Sequence, residues 1–354
     1  MQIGIPKEIK PLESRVSLLP AAVSELTKQG HLVDIETGAG LGSGYADADY
    51  SAAGATIASD AASLYERAEL IVKVKEPVTA DLAHLRSKHI LFCYLHLAAL
   101  PRLTRQLQDI GLTAIGFETL EVDKSLPLLA PMSDIAGRLA AQIGAQLLQK
   151  PHGGKGLLLG GLPGAERGQV VILGGGVAGS SATLVSAALG AQVTVFDRNR
   201  DKLSKLHALG ANVTGLYSYA DAIAESVRRA DVLIGAILVT GQRATKLVSE
   251  QMVKTMQAGS VIIDIAVDQG GCIETTHPTD YRDPTFIEHD VLHFGVTNMP
   301  GAVPRSASQA LSAALYPWVS KLASVAWRED EHLISAINVD AGKICHSGLK
   351  NHTD

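Results

Sequence analysis

Residues 170–179 read Val-Val-Ile-Leu-Gly-Gly-Gly-Val-Ala-Gly, an apolar run that enters glycines spaced as Gly174-x-Gly176-x-x-Gly179. The small and apolar residues that follow predict a helix, and Gln192–Phe196 predicts a second strand. Glycines at this spacing allow a tight turn, a close approach of the backbone to a pyrophosphate, and close packing of the helix on the strand. The stretch therefore predicts a βαβ unit that binds a dinucleotide.

Asp197, which ends the second strand, indicates which dinucleotide is bound. A carboxylate about 20 residues after the glycines accepts hydrogen bonds from the ribose hydroxyls, whereas it would repel a 2′-phosphate. The helix that begins after Gly176 adds free N–H groups and the positive end of a dipole for the phosphates. We therefore predict NAD as the cofactor, and the neighbouring Arg198 keeps NADP open as the alternative.

Length and composition bound the class of protein. The 354 residues suit two domains of about 150 residues each. An apolar fraction of 46% with 4% aromatic residues is typical of an α/β protein. A net charge of −5, without a cluster of lysines and arginines, argues against nucleic acid as a partner. Apolar runs stay shorter than the about 18 residues of a membrane span, which argues against a membrane protein.

The N-terminal residues and the cysteines predict the compartment. Met1–Glu8 mixes strand-forming and charged residues, so we expect no signal peptide. Cys93, Cys272 and Cys345 are isolated and odd in number, which favours reduced thiols over a disulfide framework or a zinc site. Both observations favour a cytoplasmic protein.

Strand and helix patterns alternate along the chain, which predicts an α/β fold of two Rossmann-like domains with mostly parallel sheets. The first half has no glycine turn of its own, so we expect one domain that binds the dinucleotide and one that does not. Little periodicity is visible after Glu329. Besides the two strands around the glycine turn, the predicted strands are 2–5, 31–36, 70–74, 89–95, 112–117, 231–236, 260–265 and 291–296.

Ligands bind beyond the carboxyl ends of parallel strands, and this rule selects three ionisable residues. Lys75 and His96 follow strands of the first domain, and Asp268 follows a strand of the second. An active-site cleft between the two domains would bring them to the nicotinamide end of the cofactor. Each also has a plainer interpretation as a solvated side chain or, for Asp268, a turn residue. Arg15 could likewise only pair with Glu13.

Two other kinds of site find no support in the sequence. His289 and His293 are four residues apart, but in a strand such positions lie about 13 Å from each other, too far to share a metal ion. The sequence contains no Gly-x-Ser-x-Gly turn, so a hydrolase triad is not indicated.

Several separated motifs resemble the family of NAD-dependent alanine dehydrogenases, in order and over nearly the whole chain. The wider family also contains the NAD(H)-binding part of transhydrogenase and the saccharopine dehydrogenases, but the surroundings of Lys75 and His96 favour an amino-acid dehydrogenase. The motifs are Ile3-Gly-Ile-Pro-Lys-Glu8, Arg15-Val16, Leu70-Ile-Val-Lys-Val-Lys75-Glu-Pro77, Leu95-His96-Leu-Ala-Ala99, Ala130-Pro-Met-Ser133-Asp-Ile-Ala-Gly-Arg138, Gly174–Gly179, Asp264-Ile-Ala-Val-Asp268-Gln-Gly-Gly271 and Val296-Thr-Asn298-Met299-Pro300.

The resemblance implies a reaction and an architecture. The reaction would be the reversible oxidative deamination of L-alanine to pyruvate and ammonium, by hydride transfer to NAD and hydrolysis of an imine. Residues 1–128 and 305–354 would form a substrate domain, and residues 129–304 an inserted NAD domain. The protein would be a homohexamer. A saccharopine- or opine-type dehydrogenase and a transhydrogenase-like NAD(H)-binding module remain the alternatives.

The resemblance also implies roles for individual residues. Arg15 and Lys75 would bind the substrate, and His96 would be the general acid and base. Asp268 would hold the water that attacks the imine. The NAD-binding residues would be Ser133, Gly174, Gly176, Val177, Ala178, Gly179, Asp197, Lys202, Ser218, Ile237, Leu238, Leu247, Ile265, Ala266, Val267, Asp268, Val296, Thr297, Asn298 and Met299.

A magnesium site of some relatives is not expected in this chain. Those relatives carry a glutamate and a histidine, four residues apart, in the C-terminal helix. The aligned positions here are Lys321 and Val325, neither of which suits a cation. We therefore predict no metal.

Overall fold

A computed structural model describes residues 1–237 and 245–352. The chain forms two compact units, Met1–Met132 with Gly301–Asp354 and Ser133–Pro300. Both units have α/β architecture around a mostly parallel sheet, so the predicted fold class is confirmed. Among the described helices, none combines the length and the apolar content that a membrane span needs.

The helices and strands alternate along most of the chain. The strands are β1 (Gln2–Ile5), β2 (Leu32–Glu36), β3 (Thr56–Ala58), β4 (Leu70–Val72), β5 (Ile90–Cys93), β6 (Thr113–Gly116), β7 (Gln169–Leu173), β8 (Gln192–Asp197), β9 (Val213–Tyr217), β10 (Val232–Gly235), β11 (Val261–Asp264), β12 (Thr285–Glu288), β13 (Val291–Phe294), β14 (Ile337–Asp340) and β15 (Lys343–Ile344). The α-helices are α1 (Pro20–Lys28), α2 (Asp47–Ala52), α3 (Ala61–Arg67), α4 (Thr79–His84), α5 (Pro101–Ile110), α6 (Ala130–Leu147), α7 (Val177–Ala188), α8 (Arg200–His207), α9 (Ala220–Arg229), α10 (Glu250–Val253), α11 (Pro304–Leu322) and α12 (Glu331–Ser335).

The sheet of the first unit has the order β15-β14-β6-β5-β4-β1-β2-β3 within the described ranges. Strands β1 to β6 pair in parallel, whereas β14 is antiparallel to β6 and β15 to β14. Side chains of the central strands are buried on both faces, as in β4, and such strands read as continuous apolar runs. The strand order reverses between β1 and β4, and a ligand is expected beyond the carboxyl ends at this point.

The sheet of the second unit has the order β12-β13-β11-β10-β7-β8-β9 over the part of the chain that the structure describes. Its parallel strands follow the order 3-2-1-4-5-6 of a doubly wound Rossmann sheet, and β12 adds an antiparallel edge. The order reverses between β7 and β10. The glycine turn follows β7 directly, so it lies at the point where such sheets bind dinucleotides.

Small residues let α6 approach the first turn of α7 in the second unit. A Cβ atom added to Gly137 would lie 2.0 Å from the carbonyl oxygen of Ala178, so no larger side chain fits there. Ser181 of α7 also donates a hydrogen bond to Asp134 of α6 at 2.5 Å. The backbone at the start of α7 is therefore fixed by close packing from a neighbouring helix.

The C-terminal segment forms regular structure although its sequence shows little periodicity. It contains α12, β14 and β15, and β14 extends the sheet of the first unit by pairing with β6. Three successive residues of β14, Ile337, Asn338 and Val339, are all buried, so the alternation that signals a strand is missing. The polar Asn338 is accommodated because its amide donates to Thr119 and to the carbonyl of Ala336.

Candidate active site

Lys75 lies beyond β4, next to the point where the strand order of the first unit reverses. Burial lowers the pKa of Lys75, and the positive charges of Arg15 and Lys10 lower it further, although Glu76 opposes them. Neighbouring carboxylates are engaged with other cations, since Glu76 pairs with Lys10 and Asp81 pairs with Lys73. The lysine is therefore a half-buried cation at the position where this sheet would bind an anion.

Glu8, which was not among the predicted site residues, supports the backbone of Lys75. Its Oε1 accepts hydrogen bonds from the backbone N–H of Val74 at 2.5 Å and of Lys75 at 3.2 Å. Burial raises the pKa of Glu8, although the Lys73 ammonium, 3.6 Å from its other oxygen, acts in the opposite direction. Glu8 follows β1 as Lys75 follows β4, so the rule of strand ends could have identified it.

Arg15 is 3% exposed and pairs with Glu13, as its plainer interpretation predicted. The Nε atom of Arg15 donates to Glu13 Oε1 at 2.7 Å, and Nη1 contacts the Met132 sulfur at 3.2 Å. Burial opposes the charge of Arg15, but hydrogen bonds and the charge of Glu13 outweigh it and raise the pKa of the guanidinium. Arg15 is thus a permanently charged donor held in a fixed orientation.

His96 occupies a turn after β5, with its backbone in the left-handed region at φ 51°. The imidazole is half-buried and stacks on the Tyr94 ring, with centroids 5.9 Å apart and planes inclined by 10°. Tyr94 is fixed in turn by a hydrogen bond from its hydroxyl to the Leu128 carbonyl at 2.6 Å. The charge of Arg15 also acts on the pKa of Tyr94, which burial raises. Arg15 thus acts on the pKa of Lys75 and on that of Tyr94, and Tyr94 stacks on His96. The three candidate residues therefore lie near the same edge of the sheet of the first unit.

Glu118 is a second carboxylate that the sequence analysis missed. It follows β6, and its Oε1 accepts a hydrogen bond from the backbone N–H of His96 at 2.7 Å. Both of its oxygens also lie 3.2 Å from the backbone nitrogen of Leu95. Glu118 comes directly after the predicted strand 112–117, so the rule of strand ends could have selected it, although its contact with His96 depends on β6 lying beside β5.

The glycine turn of the second unit has room for a ligand at one glycine and for none at the others. A Cβ atom on Gly179 would lie 1.7 Å from the Gly174 carbonyl oxygen, and Gly174 itself has φ +100°. A Cβ atom on Gly176 would meet nothing within 4 Å. Gly174 and Gly179 are thus required by the turn and its packing, whereas Gly176 leaves open space before α7, as a bound pyrophosphate would need.

The polar groups around this open space also suit a dinucleotide. Helix α7 begins at Val177 without a side-chain cap, so its first N–H groups point toward the turn. Asp197 at the end of β8 accepts from the backbone N–H of Gly175 and of Asn199, both at 2.7 Å. An adjoining cavity of about 270 Å³ is lined by Gly175, Ser180, Ser181, Leu184, Lys202, Lys205, Leu206 and Leu209.

Several other residues predicted to bind NAD follow strands of the same sheet. Ser218 comes one residue after Tyr217, the in-register partner of Asp197. Ile237 follows β10, the segments 265–268 and 296–299 follow β11 and β13, and Leu247 donates its N–H to the Cys272 carbonyl at 2.8 Å. Ser133 precedes Asp134, the partner of Ser181 on α7. Leu238 lies outside the described residues.

Asp264 shapes the loop that carries the exposed Asp268. The Asp264 carboxylate accepts from the N–H of Cys272 at 3.0 Å, the N–H of Ala266 at 3.2 Å and the hydroxyl of Thr276 at 2.9 Å. Burial raises the pKa of Asp264, and these hydrogen bonds oppose that shift. Sequence reasoning selected Asp268 but not this buried residue, which holds the backbone on both sides of it.

The histidine pair of the second unit is engaged in hydrogen bonds. His289 contacts Glu250 at 2.9 Å, and His293 contacts the Thr275 hydroxyl at 2.7 Å. Within the ranges described, no group of three or more His, Cys, Asp or Glu side chains is arranged to hold a metal ion. Lys321, at a position where some relatives are expected to bind magnesium, pairs with Asp330 at 2.7 Å.

Fold and site together define a class: an α/β protein with one doubly wound unit that has a glycine turn at its switch point and a second unit with Lys75 and His96 beyond its strand ends. The chain belongs to the alanine dehydrogenase/PNT family, whose N-terminal domain matches residues 4–136 and whose C-terminal domain matches residues 140–347.

Relatives from bacteria cover nearly the whole chain. The sequence is 50% identical to alanine dehydrogenase of Bacillus subtilis (strain 168), over 92% of this chain and 86% of that protein. It is 46% identical to alanine dehydrogenase of Halomonas elongata, over 99% and 96%. A solved structure of L-alanine dehydrogenase matches with a TM-score of 0.96 at 50% identity, covering 99% of both chains. Transhydrogenase from Sinorhizobium meliloti matches with a TM-score of 0.86 at 25% identity, over 98% of this chain and 99% of that one.

Proposed function

We propose that the chain catalyses the reversible, NAD-dependent oxidative deamination of L-alanine to pyruvate and ammonium. The observation that carries this proposal is the cluster of Arg15, Lys75 and His96 at the strand ends of the first unit. It supplies charge for a substrate carboxylate and a histidine for proton transfer, in a chain up to 50% identical to relatives named alanine dehydrogenase. The glycine turn with Gly174, Gly176 and Gly179 would hold NAD, which would supply the hydride acceptor for the Cα atom of alanine.

The residues of the chain would perform the remaining steps. Arg15 and Lys75 bind the substrate carboxylate, and Lys75 also polarises the carbonyl oxygen of pyruvate. Asp268 holds the water that adds to the imine carbon. His96 takes a proton as the carbinolamine forms and collapses, and returns it in the opposite direction. The balance is alanine, NAD⁺ and water on one side, and pyruvate, ammonium and NADH with one proton on the other.

The pairing of Arg15 with Glu13 provides a way to separate binding from folding. Arg15→Met removes the ion-pair partner of the buried Glu13 carboxylate, which is expected to cost about 3–5 kcal/mol of unfolding free energy. The double variant Arg15→Met/Glu13→Gln removes both charges and should recover most of that loss. Because the guanidinium is still missing, the KM for pyruvate should rise about 10–100-fold in the double variant.

Urea unfolding and steady-state assays measure the two effects side by side. A double variant with restored stability and a wild-type KM would show that Arg15 supports only the fold. The KM for NADH serves as an internal control, because Arg15 is assigned to the substrate and not to the cofactor.

Cofactor choice depends on the carboxylate of Asp197. Asp197→Asn retains an oxygen that can accept from the Gly175 N–H but removes the negative charge. Since a charge pair near a protein surface contributes about 1–4 kcal/mol, the ratio of kcat/KM for NADPH to that for NADH should rise at least about tenfold. Initial rates with the two cofactors measure this ratio. An unchanged ratio would show that the carboxylate does not face the ribose.

The activity itself is tested by following NADH oxidation with pyruvate plus ammonium, beside the same assay with 2-oxoglutarate plus lysine. Turnover in the first assay alone supports the proposal. Turnover in the second would indicate saccharopine-type chemistry. NADH binding without turnover in either assay would favour a transhydrogenase-like binding module.

The proposed assembly is a homohexamer in the cytoplasm. The prediction for the assembly comes from the family resemblance, and the prediction for the compartment comes from the N-terminal residues and the isolated cysteines of the sequence. Light scattering after size-exclusion chromatography measures the assembly, with six times the chain mass of 37.2 kDa as the expected result.

A further inference from the structure

Two carboxylates of the first unit form the same arrangement around two predicted site residues. Glu8 accepts hydrogen bonds from the backbone N–H groups of Val74 and Lys75. Glu118 accepts from the backbone N–H groups of Leu95 and His96. In each case the carboxylate follows a strand that neighbours the strand leading to the site residue, β1 beside β4 and β6 beside β5. We call Glu8 and Glu118 the carboxylate supports.

The arrangement supplies hydrogen-bond acceptors to backbone N–H groups beyond the end of a parallel strand. Beyond the last paired residue the backbone N–H groups lose their partners in the sheet, yet buried N–H groups need acceptors. A carboxylate accepts several hydrogen bonds at once and has no donor of its own, and such charge-assisted bonds are short and strong. The carboxylate supports thus hold the backbone up to Lys75 and His96, three residues beyond the ends of β4 at Val72 and of β5 at Cys93.

His96 depends most on its support. Its left-handed backbone conformation, at φ 51°, is sparsely populated by residues other than glycine and persists where the surroundings hold it in place. The 2.7 Å bond from its N–H to Glu118 is a direct contact that holds this turn. The direction of the imidazole follows from the backbone, because the side chain leaves from a Cα atom whose turn is set by Glu118.

We propose that Glu8 and Glu118 are positioning residues of the active site, with Glu118 directing the His96 imidazole toward the substrate and Glu8 directing the Lys75 ammonium. Neither carboxylate reacts. This inference rests on the proposed function, because it assigns the two residues to steps in which His96 moves a proton and Lys75 binds the substrate. Wild-type turnover of L-alanine is therefore the baseline of every test below.

Glu118→Gln tests the support of His96. A glutamine offers one acceptor oxygen and turns an amide donor toward the same N–H groups, so the turn shifts. Since displacements near 1 Å can cost about 10²-fold in rate, we expect kcat to fall about 10–100-fold while the KM for NADH stays within twofold. The primary isotope effect with C2-deuterated L-alanine should fall toward one and the solvent isotope effect should rise, because proton transfer becomes slower than hydride transfer.

Glu8→Gln tests the support of Lys75 and should act on binding. We expect the KM for pyruvate to rise about tenfold or more, with a smaller change in kcat than in Glu118→Gln. Glu8 is buried beside Lys73, so this variant also loses stability, and a variant too unstable to assay leaves the test to Glu118→Gln.

Asp34→Asn is the matched control. Asp34 is a buried carboxylate of the same sheet, but its partners are Gln2 and Arg67, away from the strand ends described above. The Asp34→Asn variant should lose stability and keep wild-type kcat, KM and isotope effects.

The proposal is overturned if Glu118→Gln keeps kcat within twofold, or if kcat falls with both isotope effects unchanged. Absence of alanine turnover in the wild-type protein would instead overturn the proposed function.

Discussion

Replacement of His96 by alanine is expected to lower the turnover of L-alanine by about 10²–10⁴-fold, the usual contribution of a general acid and base. The half-buried imidazole stacks on Tyr94, and its backbone is held by Glu118, so the ring is presented in a defined direction. The alanine side chain removes the imidazole that accepts the proton, but it leaves Tyr94 and the hydrogen bond from the backbone to Glu118 in place. NADH binding should stay unchanged, because the glycine turn belongs to the other unit.

Stopped-flow mixing with L-alanine and NAD⁺ measures the effect, and His152→Ala is the control, since His152 is exposed and lies in neither candidate site. Asp268→Asn should also lower the turnover of L-alanine, because the addition of water to the imine carbon becomes slower. If His96→Ala retains near wild-type turnover, the assignment of the general acid and base to His96 is wrong.

Two glycines of one turn should give opposite results when each is replaced by alanine. Gly179→Ala places a Cβ atom 1.7 Å from the Gly174 carbonyl oxygen, so the backbone of the turn must move. Overpacking of this kind is expected to destabilise the second unit by about 3 kcal/mol and to abolish NADH binding. The Cβ atom of Gly176→Ala meets nothing within 4 Å, so stability should stay unchanged. NADH affinity should fall about tenfold or more, because the new methyl group would occupy the space proposed for the pyrophosphate.

Chemical unfolding and quenching of NADH fluorescence separate the two glycines. The informative variant is Gly176→Ala, because its folded state is expected to be intact. Wild-type NADH affinity in a stable Gly176→Ala protein would contradict the placement of the dinucleotide at this turn.

Local sequence signals identified those features of the candidate site that local chain geometry determines. The glycine turn was visible because tight turns and close packing require glycine at Gly174 and Gly179, whatever the rest of the chain does. Lys75 and His96 were visible because an apolar run ended in a charged or polar residue. Residues that follow a strand can thus be identified from the sequence when the strand itself is a continuous apolar segment.

Contacts between distant segments were not visible in the same way. Glu8 meets Val74 and Lys75 across more than 60 residues of sequence, and nothing near Glu8 indicates which strand will be its neighbour. The role of Glu118 depends likewise on β6 lying beside β5. The short buried strand β14 lacked alternation, and its partner β6 lies far away in the sequence. The order of strands in the sheet, which decides these contacts, emerges only from the fold.

The discontinuous first unit has a consequence for the order of events during synthesis. Residues 133–300 form one uninterrupted unit, which can complete its sheet as soon as it has left the ribosome. The first unit is completed only when β14 pairs with β6 at the edge of its sheet. The backbone N–H groups of Val16 and Leu19 also donate hydrogen bonds, each of 2.9 Å, to serine hydroxyls of α11, those of Ser308 and Ser312. The loop that carries Arg15 therefore acquires these hydrogen bonds only after the second unit has been synthesised, so the nascent chain can hold a finished glycine turn before it is able to recognise an amino acid.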